Sequence, residues 1–192
     1  MLENKYLLLD TNMLISIAKN GDSFVDFFND LEKYNVKSII DYAVKFEFLR
    51  GAKTESDSKH KEEYLDILLG ENRAELVSTN EIFENAREIS NIYARKDQKL
   101  TKQISFADCL IAAQMKKYNE NGSGDRLFLA TIDNNDFPLF VFDRIKIYTV
   151  DFGTEIINVG IYRFNKEKYE VLKNGFYGIK QIKKTEEAEV PF

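Results

Sequence analysis

Two short, unbroken apolar runs stand out: Tyr6-Leu7-Leu8-Leu9 and Leu127-Phe128-Leu129-Ala130-Thr131. Each is followed within two residues by an aspartate, Asp10 and Asp133. A run without polar alternation suits a strand buried on both faces, as in a parallel sheet covered by helices. Further strand signals lie at Lys37–Ile40, Glu75-Leu76-Val77 and Ile145–Val150. Between them apolar residues recur at helical spacing: Phe24, Phe27, Phe28 and Leu31, then Tyr64, Leu65, Leu68 and Leu69, then Ile82, Ala86, Ile89 and Tyr93. Strands alternating with helices predict an α/β fold, a three-layer α/β/α arrangement around a parallel central sheet.

Local signals refine this outline. Asp10-Thr11-Asn12 offers capping side chains for a helix over Met13–Ala18, and Asn20-Gly21 stops it. Ser78 with Glu81 predicts a capping box, and Ser105 caps a helix carrying Phe106, Cys109, Leu110, Ala113 and Met115. Lys53–Lys61 reads as a loop or helix start, and Arg95–Lys102 as a basic loop. Beyond Val150 the pattern changes. Glu155–Phe164 and Tyr169–Leu172, around Asn165-Lys166-Glu167-Lys168, predict a C-terminal β-hairpin. The expected organisation is a main α/β domain over residues 1–150 and an extension over 151–192, packed on the same domain and ending in a frayed tail.

Composition narrows the chemistry. A chain of 192 residues buries roughly 70% of its unfolded surface and needs no staples. One cysteine excludes an internal disulfide and fits a reducing cytoplasm. No apolar run approaches a membrane span, and the first ten residues lack the features of a signal peptide. A formal charge of −5 argues against a protein that coats nucleic acid through a large basic surface. The single histidine, His60, sits in a polar run and reads as a surface residue. Paired-histidine catalysis and histidine-rich zinc sites are therefore unavailable. Chemistry must rest on carboxylates, lone hydroxyls or lysines.

Four acids are placed where a parallel sheet puts its ligands, at the carboxyl ends of strands. Asp10 ends the first strand, and Asp133 lies just past Thr131. Glu47 lies on the helix after the second strand, and Asp108 in the first turn of the helix capped by Ser105. Each also has a plain structural role: Asp10 as a cap, Asp108 as the partner in a capping box, Glu47 on a solvated helix face, Asp133 in a turn. Converging together, they would repel one another unless a cation neutralised them. An all-oxygen donor set favours Mg2+ or Mn2+.

Taken as a set, these residues resemble a known family. Leu7-Leu8-Leu9-Asp10-Thr11-Asn12 resembles the opening motif of PIN domains, and Phe46-Glu47-Phe48-Leu49-Arg50-Gly51 their second. Ser105-Phe106-Ala107-Asp108-Cys109-Leu110-Ile111-Ala112-Ala113 is similar to the third, and Leu129-Ala130-Thr131-Ile132-Asp133-Asn134-Asn135-Asp136-Phe137 to the fourth. The resemblance covers about the first 150 residues. It implies a PIN-like fold and a metal-dependent nuclease acting on RNA. Asp10, Glu47, Asp108 and Asp133 would surround Mg2+ or Mn2+. Thr11, Asn12 and Thr131 would support them, and Asp136 would be a fourth acid or a loop anchor. Small prokaryotic members include toxins held inactive by an antitoxin protein, often as homodimers; a homo-oligomer and an antitoxin partner are expectations on that ground.

An RNA substrate also needs cations and stacking surfaces. Arg50, Arg95, Lys96, Lys99 and Lys102 are candidate RNA contacts, with a solvated loop as the plain alternative for the last four. Tyr162, Phe164 and Tyr169 are either a stacking surface or the core of the hairpin, and the core is the simpler reading. The rival function is a PIN-like fold that binds RNA or scaffolds without catalysis. A dehalogenase-type phosphatase would need an acid at position 12, where Asn12 stands, and no phosphate-binding glycine-lysine loop is present.

Overall fold

The computed structural model describes residues 5–70, 75–96, 104–120, 126–134 and 140–175. The two unbroken apolar runs form β1 (Lys5–Leu9) and β4 (Leu127–Thr131), which lie side by side and parallel with Leu8 opposite Leu129. Leu7, Leu8, Leu9, Leu129 and Ala130 are buried, as strands covered on both faces require. β2 (Val36–Asp41) pairs with the other side of β1, and the short β3 (Glu75–Leu76) completes the parallel set.

Between β1 and β2 run α1 (Thr11–Lys19), a 3-10 turn at Gly21–Phe24 and α2 (Val25–Lys33). α3 (Tyr42–Arg50) and α4 (Glu55–Leu69) connect β2 to β3. α5 (Asn80–Lys96) and α6 (Phe106–Glu120) return the chain from β3 to β4. The chain moves outward from β1 to β3 and then back across the sheet to β4. Right-handed crossovers therefore put α1–α4 on one face and α5 and α6 on the other. The result is a three-layer α/β/α domain.

Of two helix starts, one settles an open reading and the other corrects one. The polar run after Lys53 is a helix start, because the Thr54 hydroxyl accepts from the Asp57 amide at 3.1 Å and the Asp57 carboxylate accepts from the Lys53 amide at 3.3 Å. α5 is capped by Thr79 instead of Ser78: the Thr79 hydroxyl accepts from the Ile82 amide at 3.5 Å. Arg95 and Lys96 belong to the last turn of α5 and not to a loop. His60 is exposed on α4.

The C-terminal hairpin is present, but the segment read as its first strand, Glu155–Phe164, supplies its second. β5 (Phe142–Asp151) and β6 (Ile156–Phe164) are antiparallel, joined through a turn in which the Gly153 amide donates to the Asp151 carboxylate at 2.7 Å. Gly153 has φ +78°, a conformation favouring glycine. The strand order is β3-β2-β1-β4-β6-β5, so β6 is inserted between β4 and β5 and runs antiparallel to both. Residues 166–175 are helical, and Tyr169–Leu172 is not a strand. Asn165 decides this: its side-chain oxygen accepts from the Lys168 amide at 2.9 Å and caps the helix. Tyr169 and Leu172, three apart, then turn to one side, with Tyr169 buried against Phe164 at 5.5 Å between ring centroids. β-Propensity at Tyr169 and Val171 suggested a strand; the cap and the helical spacing outweigh it.

Candidate metal and active site

The site begins where β1 stops. Asp10 has extended backbone angles and caps α1, its Oδ1 accepting the Thr11 amide at 2.6 Å. Its backbone amide still pairs with Ala130 of β4, at 3.1 Å. The end of β1 is thus held against β4, and the Asp10 carboxylate faces Thr131. The Thr131 hydroxyl donates to Asp10 Oδ2 at 2.8 Å and accepts from the Asp133 amide at 3.0 Å. One buried threonine therefore links the first acid to the turn that bears the fourth.

Thr11 makes the second link. Its hydroxyl donates to Glu47 Oε2 at 2.8 Å, tying α1 to the half-buried acid of α3. α3 itself starts at Asp41, whose fully buried carboxylate accepts from the Ala43 amide and from Gln114 of α6, each at 2.8 Å. Asn12 is exposed in the first turn of α1.

Electrostatics connect three of the four acids. Asp10 is buried, and its pKa is pushed up to about 6. Desolvation is the main cause, and the charges of Glu47 and Asp133 add to it; the Thr131 and Thr11 hydrogen bonds act the other way. Asp108 is buried in the first turn of α6 and joined reciprocally to Ser105. The Ser105 hydroxyl donates to Asp108 Oδ2 at 2.6 Å and accepts from the Asp108 amide at 3.1 Å. The capping box read from the sequence is thus formed. The charge of Asp108 acts on Tyr93 and Cys109, and raises both pKa values in addition to the larger effect of burial.

Among the described residues no three of these carboxylates stand close enough to enclose an ion directly. The donor set nevertheless fits a hydrated hard cation. Mg2+ is commonly held by one or two carboxylates with waters completing its shell. Burial together with neighbouring negative charges, as at Asp10, is the condition that a bound cation relieves.

Of the supporting residues, Thr11 and Thr131 lie within the hydrogen-bonded set. Asp136, Lys99 and Lys102 lie outside the described residues, as do the side chains of Arg95 and Lys96. Arg50 is exposed at the end of α3. Tyr162, Phe164 and Tyr169 are buried, so they belong to the core and present no stacking surface. The sequence reading missed what Tyr162 does there. Its hydroxyl bonds to Asn134 Oδ1, next to Asp133, and Arg144 of β5 bonds to the same hydroxyl. Gly160 makes room for this contact: a Cβ there would meet Asn134 Oδ1 and the Tyr162 ring at 2.5 Å. Only the pairing of β6 with β4 reveals this support for the acid turn, and no local pattern announces it.

The PIN domain family model matches residues 7–153, which span all four acids. The chain belongs to the PIN domain family. PIN domains are generally nucleases and typically use divalent metal ions. The match ends before β6, the inserted strand. None of the curated proteins compared matches the chain.

Proposed function

We propose that this PIN domain is a metal-dependent endoribonuclease. Asp10, Glu47, Asp108 and Asp133 serve a Mg2+ or Mn2+ site, and RNA phosphodiester bonds are hydrolysed there. The observation that carries the reading is Asp10: a carboxylate buried at a strand end, its ionisation opposed by burial and by two further acids. Such an arrangement costs stability unless it does work, and a cation is the partner that its chemistry lacks.

When bound, the ion supplies charge for the phosphoryl oxygens and acidifies a water. The chain's own residues do the rest. Thr131 and the Thr11 amide fix both oxygens of Asp10, and Thr11 fixes Glu47, so two acids are oriented before any ligand arrives. Asp133 is the half-buried acid at the open end of β4, suited to orient an attacking water. Ser105 holds Asp108 in one rotamer. Arg50, exposed on α3, would contact phosphate.

A toxin role under an antitoxin, a homo-oligomer and a cytoplasmic location accompany this proposal as family-based expectations. A non-catalytic RNA-binding or scaffold role is the rival. The test is cleavage of a mixed RNA pool by the purified protein, with Mg2+ or Mn2+ and with chelator, beside Asp10→Asn and Asp108→Asn. Metal-dependent cutting lost in both variants supports the proposal. A folded wild type that neither cuts nor binds Mn2+ sinks it and leaves the scaffold.

A further inference from the structure

α3, the helix that carries Glu47, displays aromatic side chains to solvent. Tyr42 is 58% exposed and Phe46 60%, and Arg50 is exposed at the end of the same helix. These residues recur every fourth position and therefore lie along one face. Each step advances about 6 Å along the helix, close to twice the 3.4 Å spacing of stacked bases. Glu47 is one position from Phe46, about 100° round the helix. α6 shows a related feature: Phe106, 67% exposed, opens the helix two residues before Asp108, and its ring lies parallel to that of Phe83 at 6.2 Å. Both helices that carry a site acid thus expose an aromatic residue within two positions of it.

Scattered exposed apolar residues need no explanation. Rings in register with an arginine, on the helix bearing a site acid, do. A phosphate held at the acids places its neighbouring nucleotides over the flanking helices, and α3 is one of them. Rings offer a face to any base, and the guanidinium offers charge to the phosphate that follows. A base still paired in a duplex has both faces covered, so such a surface takes unpaired nucleotides.

We propose that Tyr42, Phe46 and Arg50 form a stacking track for a single-stranded segment of RNA flanking the scissile phosphate, with Phe46 as its central ring. The proposal rests on the nuclease reading and adds to it the surface of α3 that holds the flanking segment. No bond is made or broken at the track; it binds and positions.

The experiment uses Asp10→Asn as a non-cleaving background and a single-stranded RNA oligonucleotide containing 2-aminopurine, whose fluorescence falls when it stacks. Binding of this probe is measured for the background and with Phe46→Ala, Phe46→Leu or Phe46→Tyr added. The expected result is quenching on binding, and a rise in Kd of about 5- to 150-fold for Ala and Leu, the range for losing one base–aromatic stack. Phe46→Tyr should retain both affinity and quenching. A duplex of the same sequence should bind all four proteins alike. With Asp10 restored, Phe46→Ala should raise KM and leave kcat within a few-fold. Equal binding by Ala and Tyr, or full retention by Leu, overturns the stack. A homodimer that Phe46→Ala converts to monomer, with RNA binding unchanged, gives the stripe to a protein partner and also overturns it. Quenching that depends on the Phe46 ring, in a protein whose wild type cuts nothing, supports the track while sinking the cleavage reading.

Discussion

Two aspartates in this domain sit in opposite electrical surroundings. Asp10, at the end of β1, receives hydrogen bonds from neutral donors and feels the negative charges of Glu47 and Asp133; its pKa stands at about 6. Asp143, near the start of β5, meets Lys168 at 2.8 Å, Arg163 at 3.0 Å and Asn165 at 2.9 Å, and its pKa falls to about 2. Asp41 supplies a control. It too is fully buried and raised, but by desolvation alone, and its oxygens are satisfied by Ala43 and Gln114. On the proposed function, burial alone does not mark a working acid and carboxylates gathered against one another do, whereas Asp143 is balanced by the chain's own cations.

The contrast breaks first at Asp10. Asp10→Asn keeps the shape and, through its one amide oxygen, the α1 cap; it removes the charge and turns an amide NH2 toward Thr131, whose hydroxyl then accepts instead of donating. RNA cleavage should fall by at least about 100-fold while circular dichroism and the melting transition show an intact fold. Asp143→Asn, assayed beside it, should cleave within about twofold of wild type. Equal losses at the two positions would end the distinction between working and structural acids.

Titration sharpens it. Asp10 has its folded pKa raised above the unfolded value of 3.8. Its contribution to stability is therefore complete below about pH 4 and is lost as pH rises through about 6. A shift of roughly 2 units corresponds to about 3 kcal/mol as an upper figure. In metal-free protein, the stability of Asp10→Asn relative to wild type should rise by up to that amount between pH 4 and pH 7, read from urea midpoints. Asp143 runs the other way: its pair is present above the unfolded pKa and is lost as pH falls toward 2. A gap between wild type and Asp10→Asn that stays flat across pH would mean that Asp10 ionises freely.

How much of this was legible follows from the range of the interactions. The unbroken runs at β1 and β4 announce strands buried on both faces, and Asp10 and Asp133 stand at their ends because the runs stop there. Ser105 and Asp108 were readable as a capping box, since that interaction spans three residues. The Thr131–Asp10 and Thr11–Glu47 hydrogen bonds join residues 121 and 36 positions apart. The motif resemblance suggested these threonines as supports, but no spacing rule could derive the bonds. The insertion of β6 was not legible at all. Strand order depends on which edge a hairpin meets, and β6 pairs with β4 across residues far apart in the chain. Tyr162, Phe164 and Tyr169 are core, as the simpler reading had it, but on β6 and the following helix and not on the two strands of one hairpin. Phe46, which enters the sequence reading only as part of the second motif, is exposed.

Cation binding tests the same comparison from the ligand's side. Mg2+ or Mn2+ at 100 times its Kd should stabilise the wild type by about 2.7 kcal/mol, and raise its melting temperature by several degrees. Asp10→Asn should lose most of that increment, and Asp143→Asn should keep it. The cation should also narrow the pH 7 stability gap between wild type and Asp10→Asn, because it offsets the repulsion that the substitution removes. An unchanged gap in saturating Mn2+ would mean that the ion binds elsewhere.

The smallest effect belongs to Asp143 itself. Its two cationic partners are partly exposed, with side chains about 42% and 43% accessible. Such pairs contribute about 0–1 kcal/mol each, and they are weakened by salt. Asp143→Asn should therefore lower stability by about 1 kcal/mol at pH 7 in low salt, and by less at 1 M salt, as read from denaturation midpoints. The position still matters, because Asp143 joins three elements: β5, the end of β6 through Arg163, and the helix at 166–175 through Lys168. That helix also reaches α5, where the Tyr169 hydroxyl and Lys173 meet Glu88. If the drop at Asp143 were several kcal/mol and insensitive to salt, the pairs would be holding the inserted strand in the sheet. The structural acid would then matter to folding as much as the working acid does to chemistry.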